Sequence, residues 1–178
     1  SNVPVANADL NNGNEGHVSL VWRCLYIVID CAIAPHSHHS LMLNALLFDL
    51  DGTLTLSDDI HFETWSELLK GYGLTIDATF YNQHFNGRLN EDIIQDLLPQ
   101  LSFDEGIQLS RYKESEFRRR AESRLQPMPG LLDLLNWMIG HNLKRAVVTN
   151  APRDNAYFML RSLQLEEIFP VVILGEEL

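Results

Sequence analysis

Two aspartates, Asp49 and Asp51, stand two residues apart in the stretch FDLDGTL, behind an apolar run and ahead of a glycine. Side chains at positions i and i+2 of an extended strand point to the same side, so both carboxylates are expected to face one cleft. Open parallel sheets bind ligands beyond the carboxyl ends of their strands. Gly52 permits a turn there that a Cβ would block. The plain alternative is that Asp-Gly only marks a turn after a strand.

Paired carboxylates at the end of a buried strand suit phosphoryl-transfer chemistry. Two close carboxylates attract a hard cation such as Mg2+, which keeps waters and takes few protein ligands. One aspartate can attack phosphorus and form an aspartyl-phosphate. The other can protonate the leaving oxygen and later activate water, if their environments separate the two pKa values. The pattern therefore predicts Asp49 and Asp51 as catalytic residues and as ligands of Mg2+, which offsets repulsion by the phosphate.

Strands and helices alternate along the body of the chain. Three short apolar runs are typical of strands, at residues 43–50, 145–149 and 170–174. The first lacks helical spacing and ends at a turn signal, which favours a strand buried on both faces. Apolar spacing with Gly and Pro at the ends predicts helices over residues 60–72, 77–85, 90–98, 104–125, 131–139 and 155–163. This alternation favours an α/β fold, a Rossmann-like parallel sheet with helices on its faces.

Composition narrows the class of protein and its partners. The 178 residues are 46% hydrophobic and 21% charged, which is ordinary globular usage for one domain or a domain plus a small lobe. A formal net charge of -11 repels phosphate backbones, so nucleic acid is not the expected partner. Cys24 and Cys31 make no disulfide framework and fit a reducing compartment, so a cytoplasmic location is predicted. The charged run from Arg111 to Arg124 is interpreted as a solvated helix face rather than a phosphate-attracting surface.

The first 41 residues differ from the rest and are predicted to be a poorly ordered or non-native extension. The apolar run Val18–Ala34 is at the short limit for a membrane helix and contains Arg23 and Asp30. An extra strand or a poorly specified segment is favoured over an anchor or a signal peptide, so no membrane partner is expected. The histidines of PHSHHS lack the second ligand pair that a zinc site requires. The chain begins with serine, which indicates processing, a tag or a fragment.

FDLDGTL resembles the first motif of the haloacid dehalogenase-like superfamily of phosphohydrolases. By that resemblance Asp49 is the nucleophile and Asp51 the general acid/base. The dehalogenases of the superfamily lack the second acid, so Asp51 points to phosphoryl chemistry. AVVTNAPR resembles the second family motif, an apolar strand ending in Thr or Ser, which assigns phosphate binding to Thr149 and Asn150, with Gly52 in the same group.

Asp51 and Thr149 are 98 positions apart, which leaves room for an inserted helical cap. DDIHFETWSELL and FNGRLNEDI resemble the start of the cap in the beta-phosphoglucomutase-like and sugar-phosphatase branch. The resemblance brings His61 and Arg88 near the substrate, although a structural role for His61 remains open. It divides the chain into an extension (1–41), an incomplete core (42–56 and 127–178) and a cap (57–126).

The family's later motifs have no counterpart in this sequence. Family members continue past the third strand to a lysine, in a K-P segment, and to a further strand whose paired acids complete the Mg2+ site. This chain ends at GEEL; Lys144 precedes the second motif, and Glu176 and Glu177 come too early to replace those acids. The expectation is a truncated form with little activity.

The predicted function is a Mg2+-dependent phosphatase of small sugar or polyol phosphates that acts through phospho-Asp49. A cap would close over the substrate to exclude water and select it. Two alternatives stay open: a phosphosugar mutase with the same intermediate, and a non-catalytic remnant. A monomer is expected, with a small phosphorylated molecule as its partner.

Overall fold

A computed structural model of the chain describes residues 43–178. The N-terminal extension, its apolar run and its histidine cluster lie outside the described residues. Within residues 43–178, no helix combines the length and the apolar character that crossing a bilayer requires.

Three parallel strands form the sheet, in the order β1 (Ala45–Phe48), β2 (Lys144–Thr149) and β3 (Val172–Leu174). Phe48 lies opposite Val147, and Thr149 lies opposite Leu174, so the carboxyl ends of all three strands meet at one edge. The α/β fold predicted from the alternation is confirmed. One detail differs: Leu46 and Phe48 are buried, but Ala45 and Leu47 on the other face of β1 are only half-buried.

Six helices accompany the sheet, and each lies within four residues at either end of its predicted range. Their bounds are α1 Asp58–Lys70, α2 Ala78–His84, α3 Asn90–Leu97, α4 Phe103–Ala121, α5 Leu131–Gly140 and α6 Arg153–Ser162, with a short 3-10 helix at Gly175–Glu177. Local signals explain several starts. Asp77 caps α2 by accepting a hydrogen bond from the Phe80 N–H, and Ser102 and Glu105 form a reciprocal capping box on α4.

The buried apolar side chains fall into two clusters. One contains the sheet residues together with side chains of α5 and α6, for example Leu135 and Met159. The other lies among the helices of the insert and contains Trp65, Leu69 and Tyr81. The helices α1 and α4 contribute to both clusters, so they connect the insert to the sheet. The domain boundaries remain predictions.

The segments that leave and re-enter the sheet region run side by side. Thr55 forms an isolated antiparallel bridge with Pro127, and the Met128 N–H donates to the Leu54 carbonyl at 2.9 Å. The buried Thr55 hydroxyl donates to the Gln126 carbonyl at 2.8 Å. The insert therefore starts and ends at one place, close to the end of β1.

Candidate active site

Asp49 follows the last residue of β1, and Thr149 is the last residue of the neighbouring strand β2. The register places both side chains at the same edge of the sheet. Burial raises the pKa of Asp49 most, and the nearby carboxylates of Asp51 and Asp58 raise it further, against hydrogen bonds from the Leu50 backbone and Thr149. Thr149 is buried, and its hydroxyl also accepts the Ala151 N–H at 3.0 Å. The two predicted residues are thus brought together.

Asp51 is held from the side of the insert. The Ser57 hydroxyl donates to Asp51 Oδ1 at 2.5 Å, and His61 Nε2 lies 3.3 Å from the same oxygen. Burial alone would raise the pKa of Asp51, but the hydrogen bond and charge interaction with His61, the hydrogen bond from Ser57 and the charge of Lys113 together outweigh it, so the pKa is lowered. Ser57 stands at the N-cap of α1 but makes no cap hydrogen bond, and its hydroxyl donates to Asp51.

His61 lies between Asp51 and Lys113. The Lys113 Nζ atom lies 2.9 Å from His61 Nδ1, while His61 Nε2 faces Asp51. The ring also stacks on Phe117, with centroids 3.8 Å apart and planes 2° from parallel. These contacts fix the orientation of His61 toward the candidate acid/base.

Buried hydrogen bonds between polar side chains continue from Lys113 to the start of α6. Lys113 and Glu114 are both buried and pair at 2.8 Å, and Lys113 also lies over the Trp65 ring. The other oxygen of Glu114 accepts from the amide of Asn155, at the start of α6. A series of side-chain contacts therefore links the site to a contact between α4 and α6; it runs through Asp51, His61, Lys113, Glu114 and Asn155.

The interpretation of residues 111–124 as a solvated face is wrong for Lys113 and Glu114. The exposed charges of α4, such as Arg111 and Arg119, do face solvent. The missed signal is helical spacing, since the buried positions of α4 recur at three- and four-residue intervals. They are Leu109, Ser110, Lys113, Glu114, Phe117 and Ala121. A lysine and a glutamate at the spacing of the buried Leu109, Phe117 and Ala121 indicate a buried pair.

Two glycines shape the edge of the site. Gly52 has a φ of 69°, so any other residue would be strained in the turn after Asp51. Gly175 follows β3 and packs against the Asn150 side chain so closely that a Cβ would collide with Asn150 Oδ1. Asn150 is exposed at the same edge as Thr149. Gly175 was not singled out from the sequence, because its role depends on a strand distant in the chain.

Arg88 lies in the insert, between α2 and α3. Its guanidinium donates to Asp96 at 2.6 Å and to the His84 carbonyl at 3.3 Å. Neither partner belongs to the edge of the sheet where Asp49 and Thr149 meet. The predicted substrate contact of Arg88 stays a prediction.

The carboxylates of Asp49 and Asp51 suit a hard cation. No cluster of three or more His, Cys, Asp or Glu side chains suitable for a metal occurs among residues 43–178. Mg2+ usually takes one or two carboxylates and completes its shell with water and substrate oxygens, so two acids are enough to begin a site. Repulsion from Asp51 and Asp58 contributes to the raised pKa of Asp49, and a bound cation would relieve it. The donor set therefore fits Mg2+.

The family model and the curated relatives that match this chain describe hydrolases and phosphatases. The family model described as haloacid dehalogenase-like hydrolase matches residues 46–178. Among curated proteins, the chain is 24% identical over 136 residues to a phosphorylated carbohydrates phosphatase of Thermotoga maritima, covering 76% of the chain and 62% of that protein. It is 27% identical over 142 residues to a validoxylamine A 7'-phosphate phosphatase of Streptomyces hygroscopicus subsp. limoneus, covering 76% and 63%. The chain spans about three fifths of the length of these relatives.

Solved structures share the fold. A haloacid dehalogenase-type hydrolase of family IA from Entamoeba histolytica superposes with a TM-score of 0.66 at 24% identity, over 75% of this chain and 61% of that one. CbbY from Rhodobacter sphaeroides, solved in complex with phosphate, gives a TM-score of 0.65 at 24% identity, over 77% and 65%. With the family model matching about three quarters of its length, the chain belongs to the haloacid dehalogenase-like hydrolase family.

Proposed function

We propose that the protein hydrolyses phosphate monoesters of small sugars or polyols through a phospho-Asp49 intermediate. The observation that carries the proposal is the meeting of Asp49 and Thr149 at the ends of adjacent parallel strands, with Asp51 beside them. The names of the two curated relatives support a phosphorylated carbohydrate as the substrate class. A monomer in the cytoplasm belongs to the same proposal.

In the first step, an Asp49 oxygen attacks phosphorus while the bond to the ester oxygen breaks. The leaving alkoxide takes a proton from Asp51 and departs as an alcohol. In the second step, Asp51 removes a proton from water as the water oxygen attacks phosphorus, and the Asp49 carboxylate is released with inorganic phosphate. Thr149 and Asn150 would orient the phosphate oxygens. Mg2+, held by Asp49 and Asp51, would neutralise negative charge on the phosphate.

The surroundings of Asp51 govern when it can act as an acid. Its contacts with Ser57 and His61 lower its pKa, so without substrate the carboxyl is ionised at neutral pH. An incoming phosphate brings negative charge close to Asp51 and raises that pKa. Protonation of Asp51 is therefore coupled to substrate binding. His61 is a positioning residue in this scheme, because it contacts Asp51 and not the reacting atoms.

The proposal is tested by phosphate release from a panel of sugar and polyol phosphates with Mg2+. Asp49→Asn should abolish release, and Asp51→Asn should reduce it by about a hundredfold to ten-thousandfold. Asp133→Asn, the same change at an exposed residue of α5, is the matched control and should leave the rate unchanged. Acid quenching during turnover should trap one phosphoryl group on the wild type and none on Asp49→Asn.

Two results would contradict hydrolysis. Conversion of one phosphosugar isomer into another, without release of phosphate, would identify a mutase. Equal rates for wild type and Asp49→Asn on every substrate would identify a non-catalytic protein.

A further inference from the structure

A cavity that is open to solvent lies between α4 and α6. Its volume is about 450 Å³. Its walls are Arg118 from α4 together with residues from α6: Arg153, Asp154, Tyr157, Phe158 and Arg161. None of Asp49, Asp51 and Thr149 lines it.

The charge of this cavity is opposite to that of the protein. Three arginines and one aspartate line it, in a chain whose net charge is -11. Arg118 is half-buried, and its Nη1 donates to the neutral amide oxygen of Asn155 at 2.5 Å. Within residues 43–178, no carboxylate lies within ion-pair distance of Arg118. Arg118 therefore forms no ion pair with the described residues, and its remaining N–H groups can serve a ligand.

The other two arginines have partners that a ligand can replace. Arg153 pairs with Glu177, and Arg161 lies 3.7 Å from Glu166, and all four side chains are more than two fifths exposed. Exposed pairs of this kind are weak and are screened by salt. A dianion that contacts several arginines together gains more charge-assisted hydrogen bonds than either carboxylate provides.

The remaining walls are aromatic. Tyr157 and Phe158 are half-buried, and the Arg153 guanidinium lies 5.8 Å from the centre of the Tyr157 ring. A guanidinium beside an aromatic face is suited to bind a phosphate while the ring contacts an apolar or planar group. The cavity combines both kinds of surface.

We propose that this cavity, the α4–α6 pocket, binds a small phosphate- or phosphonate-bearing molecule that also carries an aromatic group. The arginines bind the dianion, and Tyr157 and Phe158 contact the ring. The site is separate from the one that would hydrolyse substrate, so the inference does not depend on the proposed function.

The test is a titration of the isotope-labelled chain with phenylphosphonate, which a phosphatase does not hydrolyse, in the presence of a chelator. Backbone amide resonances of residues 153–161 should shift, with a single dissociation constant. Arg118→Gln and Arg161→Gln should each weaken binding about tenfold. Arg111→Gln removes the same charge from the exposed face of α4 and should leave the dissociation constant unchanged. Asp49→Asn should also leave it unchanged.

Two further probes distinguish the contribution of the aromatic ring from that of the anionic group. Methylphosphonate and inorganic phosphate should bind more weakly than phenylphosphonate, because neither has a ring for Tyr157. Equal affinity for all three would overturn the aromatic part of the proposal. Equal weakening by Arg111→Gln would overturn the pocket and leave only general charge attraction. Shifts confined to residues near Asp49 and Thr149, altered by Asp49→Asn, would assign the binding to the candidate active site instead.

Discussion

The buried pair of Lys113 and Glu114 makes a quantitative prediction about stability. Only 4% of the Lys113 side chain and 9% of the Glu114 side chain are exposed. Removing one partner of a buried pair costs about 3–5 kcal/mol, because the other charge is left uncompensated in a poorly solvated place. Here each remaining side chain keeps neutral partners. Glu114 retains Asn90 and Asn155, and Lys113 retains His61.

We therefore expect each single variant, Lys113→Met or Glu114→Gln, to lower the free energy of unfolding by about 2–3 kcal/mol. Both substitutions nearly preserve the volume of the side chain. In the double variant no buried charge remains, and the loss should be about 2 kcal/mol in total, which reflects the hydrogen bonds removed. The sum of the two single losses, about 4–6 kcal/mol, exceeds the loss in the double variant by about 2–4 kcal/mol, a coupling at or above the upper end of measured pair couplings.

The assay is urea unfolding of the four proteins, followed by far-UV circular dichroism and tryptophan fluorescence. Arg119 and Glu116 form an i, i+3 pair on the same helix whose side chains are 65% and 21% exposed. The corresponding cycle with Arg119→Gln and Glu116→Gln should show a coupling of only about 0.2–0.5 kcal/mol. Additive losses for Lys113 and Glu114 would refute the reasoning, because they would mean that water reaches the pair and solvates whichever charge remains.

Three further predictions concern the site itself. Gly175→Ala should raise the KM for a phosphate ester about tenfold with little change in stability, because its Cβ displaces the Asn150 side chain; steady-state kinetics beside an unfolding curve would separate the two effects. Asp49→Asn should raise the melting temperature at pH 7, because a carboxyl whose folded pKa is raised costs stability when ionised. That gain should shrink as the pH falls through the raised pKa toward the ordinary value of 3.8, and a pH-independent gain would contradict the assignment. Millimolar Mg2+ should raise the melting temperature of the wild type more than that of Asp49→Asn, whereas equal shifts would place the ion elsewhere.

Most of the fold follows from local signals in the sequence. The apolar run before Asp49 and the β-branched run before Thr149 are short and continuous, as expected for parallel strands, and the helices are bounded by capping and Gly or Pro residues. The ends of the helices follow less directly from the sequence. The predicted helix over 104–125 ends at Ala121 in the structure. A turn follows, in which the Arg124 and Leu125 N–H groups both donate to the Ala121 carbonyl, and the buried Leu125 extends the apolar pattern past the end of the helix.

The sequence predicts those parts of the candidate site whose residues share one motif. It does not predict contacts between residues that meet only when helices or strands pack together. Asp49 and Asp51 are two residues apart in one motif, and Thr149 ends a neighbouring strand. The approach of Lys113 to His61 requires α1 and α4 to pack together, which no local pattern encodes. The same holds for Gly175 and Asn150, whose contact depends on the pairing of β2 with β3. Long-range contacts of this kind appear only once the chain is folded.

The bridge between Thr55 and Pro127 bears on how the insert can diverge in evolution. The insert leaves the sheet and returns to it at neighbouring points that are hydrogen-bonded to each other. Its length and helix number therefore place no geometric demand on the strands, and longer insertions add only a slowly growing closure entropy. The sheet edge can keep its geometry while the insert is replaced, as long as the new insert supplies partners for Asp51 in place of Ser57 and His61. Substrate preference can then diverge by exchange of the insert, without alteration of the residues proposed to carry out the chemistry.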